Sequence, residues 1–391
     1  MEFEYSVAER QFRDQVRTWL AEHTPRDKRP VDGMPMRDFD LAWQRTKYAG
    51  GWGGVAWPKE YGGGGLSLIE QIIWFEECAR AHAPTLGSLN VTLSHAGPTV
   101  ALRGNQAQKS FHLPKILKGE VLWCQGFSEP GAGSDLAGLR TLGVVDGDDI
   151  VINGTKIWTS HAHLADYQET LIRTNPDSRR HRGLTWLIID MKTPGIEIHP
   201  IDTMSPGARH YCQVFYNDVR VPLANVVGQV NDGWSVAMST LTFERGSTAA
   251  SQALDVSQAV EDLIVLARER PGPDGRRAAI QHEDIAMRLA THRAEAAALR
   301  AMIYETASRN TAGPMAGAES ALTFLLCGEL MQGVRETALE VLGGGMLEVS
   351  GEFEEWTRHF LHDRIYLIAG GTAEVRRNII AERLLGLPRS Y

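Results

Sequence analysis

The order of textures along the chain most restricts its fold: a strand-rich stretch is set between two helical ones. Residues 141–158, TLGVVDGDDIVINGTKIW, are β-branched runs divided by Asp146-Gly147 and Asn153-Gly154. Both dipeptides favour the positive φ of two-residue hairpin turns, so three adjacent antiparallel strands are expected. Runs at 167–173, 184–190, 196–200 and 212–221 have strand length and composition. Short strands at this spacing indicate a small barrel or sandwich.

On either side the periodicity is helical. Residues 5–22 place Phe12, Val16, Trp19 and Leu20 on one side, and Pro25 and Pro30 close that stretch. Further helices are expected at 38–49, 67–82 and 106–118. Gly62–Gly65 lack the following Lys-Ser/Thr of a phosphate-binding loop and suit a close-packed turn. From Asn231 a helix runs to about Arg268, and PGPDG at 271–275 is a loop. Helices over 281–310, 317–342, 352–366 and 372–385 then read as a four-helix bundle or similar. The expectation is an α+β chain in three units: residues 1–119 helical, 120–230 a β-barrel-like middle and 231–391 a helical bundle.

Composition narrows the function. Of 391 residues, 43% are hydrophobic and 23% charged, with a net charge of −8 and no basic run, which argues against nucleic acid. The four cysteines form no CxxC pair, so neither a disulfide framework nor a structural metal site is expected, and a reduced cytoplasm is the expected location. The N-terminus lacks the basic and apolar regions of a secretory signal, and no run reaches membrane-spanning length. HExxH and GxSxG are absent.

The chemistry-bearing stretch is Cys124–Gly138, CQGFSEPGAGSDLAG. Gly131 and Gly133 allow a ligand close to the main chain, Pro130 stiffens the loop, and Ser128, Ser134 and Asp135 offer small polar groups. Composition alone is equally satisfied by a solvated turn. The order SEPGAGSD, with WPKEYGGGG before it and GTKIWTS, FYNDVRVP, NDGWSVAMSTLTFERG and GGTAEVRRNIIAERLLGLPR after it, resembles the acyl-CoA dehydrogenase family over nearly the whole chain. The subgroup it resembles is the actinobacterial-type steroid or branched acyl-CoA dehydrogenases.

That resemblance implies FAD held without a Rossmann fingerprint, and no GxGxxG joins a strand to a helix here. It implies that Gln125, Phe127 and Ser128 line the flavin ring, that Trp158, Thr159 and Ser160 lie beside its N5, and that Thr372, Glu374 and Gly344 meet its remaining parts. Ser134, Arg245 and Gly371 are implied for the acyl-CoA. For Trp158 core packing is the plainer alternative, and for Thr372 a helix cap. His161 and His163 follow Trp158 closely enough to share a pocket.

The family reaction removes a proton alpha to a thioester and a hydride from the beta carbon, which passes to flavin N5. Many members carry the base as the Glu of Tyr-Glu-Gly-Thr; this chain has Ala369-Gly370-Gly371-Thr372. Members with the base on the long helix after the β unit imply Glu244, which a surface ion pair with Arg245 would equally explain. Gly370 keeps a backbone N–H for the thioester oxygen. The glycines leave a wide floor, so a bulky or branched acyl group is expected.

An Arg-x-x-Phe-Gly stretch, which in homotetramers reaches a neighbour's FAD, is replaced by residues 268–277, RERPGPDGRR, and a later Gln-x-x-Gly-Gly by Glu340–Gly344. Two assemblies remain open: an α2β2 heterotetramer with a sister chain, or a homotetramer in which Arg268, Arg276 or Arg277 restores the contact. Electron-transfer flavoprotein is the implied acceptor. Two other readings stand beside the dehydrogenase: a subunit without catalysis of its own, and a related flavoenzyme with altered chemistry, such as an oxidase or desulfinase.

Overall fold

The structure, a computed structural model, describes residues 5–178, 180–205, 207–309 and 318–389, with the side chains of 244–249 outside the description. Five helices come first: α1 Val7–His23, α2 Gly33–Ala49, α3 Leu68–Arg80, α4 Gly97–Arg103 and α5 Gln106–Leu117. Three of them open on reciprocal caps, Ser6 with Glu9, Ser67 with Glu70 and Asn105 with Gln108, in which each side chain satisfies the other's backbone N–H. Helix α2 begins five residues before its apolar pattern does, because Pro35 falls in the first turn, where a missing N–H breaks no helical bond. The glycine run packs as a turn: a Cβ on Gly63 would lie 2.3 Å from the Trp57 carbonyl oxygen. A π-helical turn, Val91–Ala96, leads directly into α4 and is buried throughout; sequence periodicity did not reveal it.

Seven strands follow: β1 Trp123–Gly126, β2 Leu142–Asp146, β3 Asp149–Ser160, β4 Tyr167–Arg173, β5 Leu184–Asp190, β6 Ile196–Pro200 and β7 Tyr211–Pro222. They form one curled sheet in the order β1-β4-β2-β3-β7-β6, with β5 on the other side of β4. The turn at Gly147-Asp148 joins β2 to β3, Asp146 facing Asp149. The hairpin expected at Asn153-Gly154 does not form. Gly154, at φ 149°, is a bulge within β3 where the register with β7 shifts. A Cβ there would sit 2.7 Å from the Thr141 Cα, so the glycine serves close strand approach instead of a turn.

The remainder is helical: α6 Gly233–Glu269, α7 Glu283–Arg309, α8 Ala318–Leu342, α9 Glu354–His362 and α10 Ala373–Ile379. At 37 residues α6 is about 55 Å long, enough to bind sheet and bundle together. Gly233 makes the join: a Cβ would lie 2.4 Å from the Trp186 backbone nitrogen on β5. Farther on, Ala253, Val256, Val260 and Leu263 enter a core shared with α7 and α8.

Candidate active site

The SEPGAGSD loop is held from beneath. Lys156 of β3 has no exposed surface, and its ammonium donates to the Phe127 carbonyl (3.0 Å) and to Glu129 Oε1 (2.8 Å). Glu129 also accepts the backbone N–H groups of Arg140 (2.6 Å) and Thr141 (2.8 Å). A buried ion pair is tolerable when further donors fill the carboxylate's lone pairs, and here they do. Burial opposes the Glu129 charge, but Lys156 and these donors outweigh it and hold the carboxyl below its usual range. Burial pushes the Lys156 ammonium down to about 8 against the pull of Glu129. The Ile157 N–H donates to the Ser128 carbonyl (2.9 Å), fastening loop to strand. The loop's outer side is left bare: a Cβ on Gly131 or Gly133 would meet nothing within 4 Å, and Ser134 is exposed.

Two residues beyond Lys156 the strand departs from ordinary geometry. Trp158 has φ 60°, a costly conformation for a bulky side chain, and its indole is 57% exposed beside Tyr211. It lies where β3 slips register against β7 between Lys156 and Thr159. Core packing is therefore not its role here; it forms an aromatic shelf next to bare loop backbone. Alternation gives Ser160 the same outward side and turns Thr159 inward, where its hydroxyl is buried without a partner. The Thr159 hydroxyl is thus left without a partner among the described residues. Phe127 is likewise 4% exposed, in the core.

Gln125 belongs to a buried polar group that spacing does not reveal. Its amide nitrogen donates to Glu169 Oε1 of β4 (2.8 Å) and lies 3.2 Å from His95 Nδ1 in the π-helical turn. Both partners are distant in sequence, so only the fold assembles them. Below the shelf, His161 sits at φ 57° with its ring against His210, and its N–H donates to the His210 carbonyl (2.6 Å). Burial, then the neighbouring histidines, push His161 well below its ordinary value, so it is neutral. His163 faces Cys212 Sγ at 3.2 Å and Asp32 at 3.7 Å, away from the shelf.

From the C-terminal unit, His362 meets Tyr211 of β7, and Asp363 accepts from Arg335 (2.8 Å) with His359 and His362 beside it. Burial opposes the Asp363 charge, yet these groups hold its carboxyl well below the usual carboxylate range. The segment after it turns through Gly370 and Gly371 at φ 68° and 101°, while Arg376 donates to the Ala369 and Tyr366 carbonyls. Thr372 is the N-cap of α10, accepting from the Val375 N–H (3.3 Å), and exposed Glu374 follows in the first turn. Gly344 lies elsewhere, in a turn at the end of α8 whose next residue packs on Phe353. Glu244 and Arg245 occupy successive positions of α6, and their side chains lie outside the described residues.

A curled sheet between two helical units, with an exposed aromatic shelf beside a glycine loop and, among the described residues, no Rossmann unit, defines a flavoprotein of the acyl-CoA dehydrogenase type. The comparisons agree: the N-terminal, middle and C-terminal domains of acyl-CoA dehydrogenase match residues 6–120, 124–219 and 231–385. The chain belongs to the acyl-CoA dehydrogenase family and is an oxidoreductase whose cofactor is FAD. It is 39% identical to acyl-CoA dehydrogenase IpdE1 of Mycobacterium tuberculosis over 97% of this chain and 98% of the relative. Among solved structures it is similar to the Tcur3481-Tcur3483 steroid ACAD (TM-score 0.87, 31% identity, all of both chains). The ChsE4-ChsE5 complex from Mycobacterium tuberculosis superposes with a TM-score of 0.85 at 32% identity, again over all of both chains.

Proposed function

We propose that this chain dehydrogenates a bulky or branched acyl-CoA between the α and β carbons, with Glu244 as the base. The observation that carries it is the backbone at Ala369–Thr372. Where many members place the catalytic glutamate, two successive glycines turn with positive φ, so no carboxylate stands there. The proton must then go to another carboxylate, and Glu244 on α6 is the one the family register offers. The Gly370 N–H donates to the thioester oxygen, which gathers negative charge as the proton leaves; one such donor is worth about 3 kcal/mol in other enzymes. Bound against Trp158, FAD supplies the hydride acceptor. In this reading Gln125, Ser128 and Ser160, with the backbones of Phe127 and Thr159, hold the flavin face. Thr372 and Glu374 hold its far parts, and Ser134, Arg245 and Gly371 hold the acyl-CoA.

The assembly belongs to the same reading, with units dividing near 120 and 230. We infer an α2β2 heterotetramer with a sister chain, working in lipid β-oxidation in the cytoplasm and passing electrons to an electron-transfer flavoprotein. Two of the similar solved structures are named as two-protein assemblies. In this chain Glu340 is claimed by Arg288, and Arg277 by Asp274, groups that would otherwise be available to a neighbour's cofactor. Gly344 then belongs to the sister-facing side.

The test is anaerobic bleaching of the flavin absorbance by acyl-CoAs. Ring-bearing or branched substrates should bleach it faster than straight medium chains, without oxygen uptake. A preference for straight chains removes the wide-floor argument, and oxygen consumption favours an oxidase. No bleaching by any acyl-CoA leaves a non-catalytic subunit. Stoichiometric FAD in the chain expressed alone removes the need for a sister chain.

A further inference from the structure

Helix α4 and the π-helical turn before it run antiparallel to α6, and two contacts fix how they are aligned. Arg103, at the end of α4, reaches Ser235 and Asp232 at the start of α6. One turn back, the Thr99 hydroxyl donates to the Thr240 hydroxyl (2.9 Å), and neither residue has exposed surface. Beside these contacts Ala96 and Val100 share a core with Val236, Ala237 and Leu241. Ala96 and Gly97 keep helical angles, so the ladder continues past Thr99 without a break. Four more residues on each helix, about 6 Å along its axis, bring His95 and position 244 to the same level. The pairs 103 with 235, 99 with 240 and 95 with 244 are then successive rungs.

The sheet holds His95 from its other side. His95 is buried, and the Trp123 N–H of β1 donates to the Thr92 hydroxyl (2.9 Å), which seats the π-helical turn on that strand. Gln125 of β1 and Glu169 of β4 are register neighbours, and the Gln125 amide nitrogen touches both Glu169 Oε1 (2.8 Å) and His95 Nδ1 (3.2 Å). A carboxylate only accepts, so the amide must turn its nitrogen to Glu169, and its second hydrogen goes to Nδ1. A ring that accepts at Nδ1 carries its hydrogen on Nε2. That nitrogen, across the ring, is directed away from Gln125.

Resting on the reading of Glu244 as base, we propose that His95 is a positioning residue: its Nε2–H donates to one oxygen of the Glu244 carboxylate and leaves the other for the substrate's α-proton. A base has to stand within hydrogen-bond reach of the proton it takes, and a glutamate on a long helix has three rotatable bonds by which to miss it. A donor on the facing rung removes that freedom. Gln125 and Glu169 remove the corresponding freedom of the imidazole, as supporting groups do for a preorganised site. Gln125 is also read as lining the flavin, so one chain of hydrogen bonds ties the direction of the base to the seat of the ring that receives the hydride.

The experiment compares His95→Gln with His95→Asn by anaerobic rapid mixing with a ring-bearing acyl-CoA, FAD content reporting that each variant is folded. Both amides can bond Gln125, but only glutamine is long enough to place an N–H where Nε2 stands. At saturating substrate the flavin of His95→Gln should bleach within about threefold of the wild-type rate and that of His95→Asn at least about tenfold more slowly, with acyl-CoA affinity little changed in either. In a Glu244→Gln background the two should differ by less than about twofold, because no base is left to orient. Equal rates in the two variants, or an undiminished gap in the Glu244→Gln background, overturn the role of His95 while leaving the dehydrogenase intact. Loss of FAD from both variants makes His95 a structural residue and overturns it too. Bleaching at the wild-type rate by Glu244→Gln alone overturns the underlying reading, and this proposal with it.

Discussion

The SEPGAGSD loop and the surface around residues 268–277 and 340–353 are built differently. At the loop end, Lys156 and Glu129 are buried together, bonded to each other, to the Phe127 carbonyl and to the Arg140 and Thr141 N–H groups, and the outer side of the loop is bare. At the opposite end, around residues 268–277 and 340–353, charges pair on the surface: Arg288 with Glu340, Arg277 with Asp274 and Arg270 with Glu352. Leu347 there is 85% exposed. The first region holds its geometry alone. The second spends its cations within the chain and leaves apolar surface bare, as a face completed by another chain would. The contrast teaches how each region is held: the loop by a buried ion pair with added backbone donors, the other surface by exposed ion pairs.

Breaking the buried pair should have the largest effect. Lys156→Met leaves the Glu129 carboxylate enclosed without its cation and should cost about 3–5 kcal/mol of stability, read as a fall in denaturation midpoint with loss of bound FAD. The pH dependence has a definite sign. The folded Glu129 carboxyl lies below its ordinary 4.5, so its stabilising contribution is full above that value and is lost as pH falls through the depressed one. Lys156→Met should flatten that acid arm; an unchanged arm would mean the pair does not hold the loop.

Trp158→Gly is expected to separate strain from binding. Glycine tolerates φ 60° freely, so the variant without cofactor should be no less stable, or more stable by about 1 kcal/mol, while FAD affinity falls. Equal FAD affinity would remove the shelf from the account. The smallest effect is reserved for the other end. Glu340→Gln breaks an exposed pair and should shift stability by no more than about 1 kcal/mol, leaving FAD content unchanged. A loss of FAD there would show that the two ends are not as different as their packing indicates.

Much of this was legible in the sequence, for stated reasons. Apolar periodicity marked the flanking helices, Asp146-Gly147 carried its hairpin, and SEPGAGSD with GTKIWTS marked the two segments that Lys156 and Glu129 join. Asn153-Gly154 misled because one dipeptide supports both a turn and a bulge; only the approach of Thr141 decides between them. The π-helical turn was hidden because its burial on all sides erases periodicity, and Gly97-Pro98 reads as a break although proline is welcome in a first turn. The Gln125, His95 and Glu169 group is assembled from segments far apart, so no spacing could announce it.

The central claim is that a carboxylate on α6 removes the substrate's α-proton, and Glu244→Gln tests it most directly. Rapid mixing with a ring-bearing acyl-CoA without oxygen should show flavin bleaching slowed by at least about a hundredfold, with FAD content retained. Bleaching at the wild-type rate would contradict the claim and send the search for the base elsewhere in the chain.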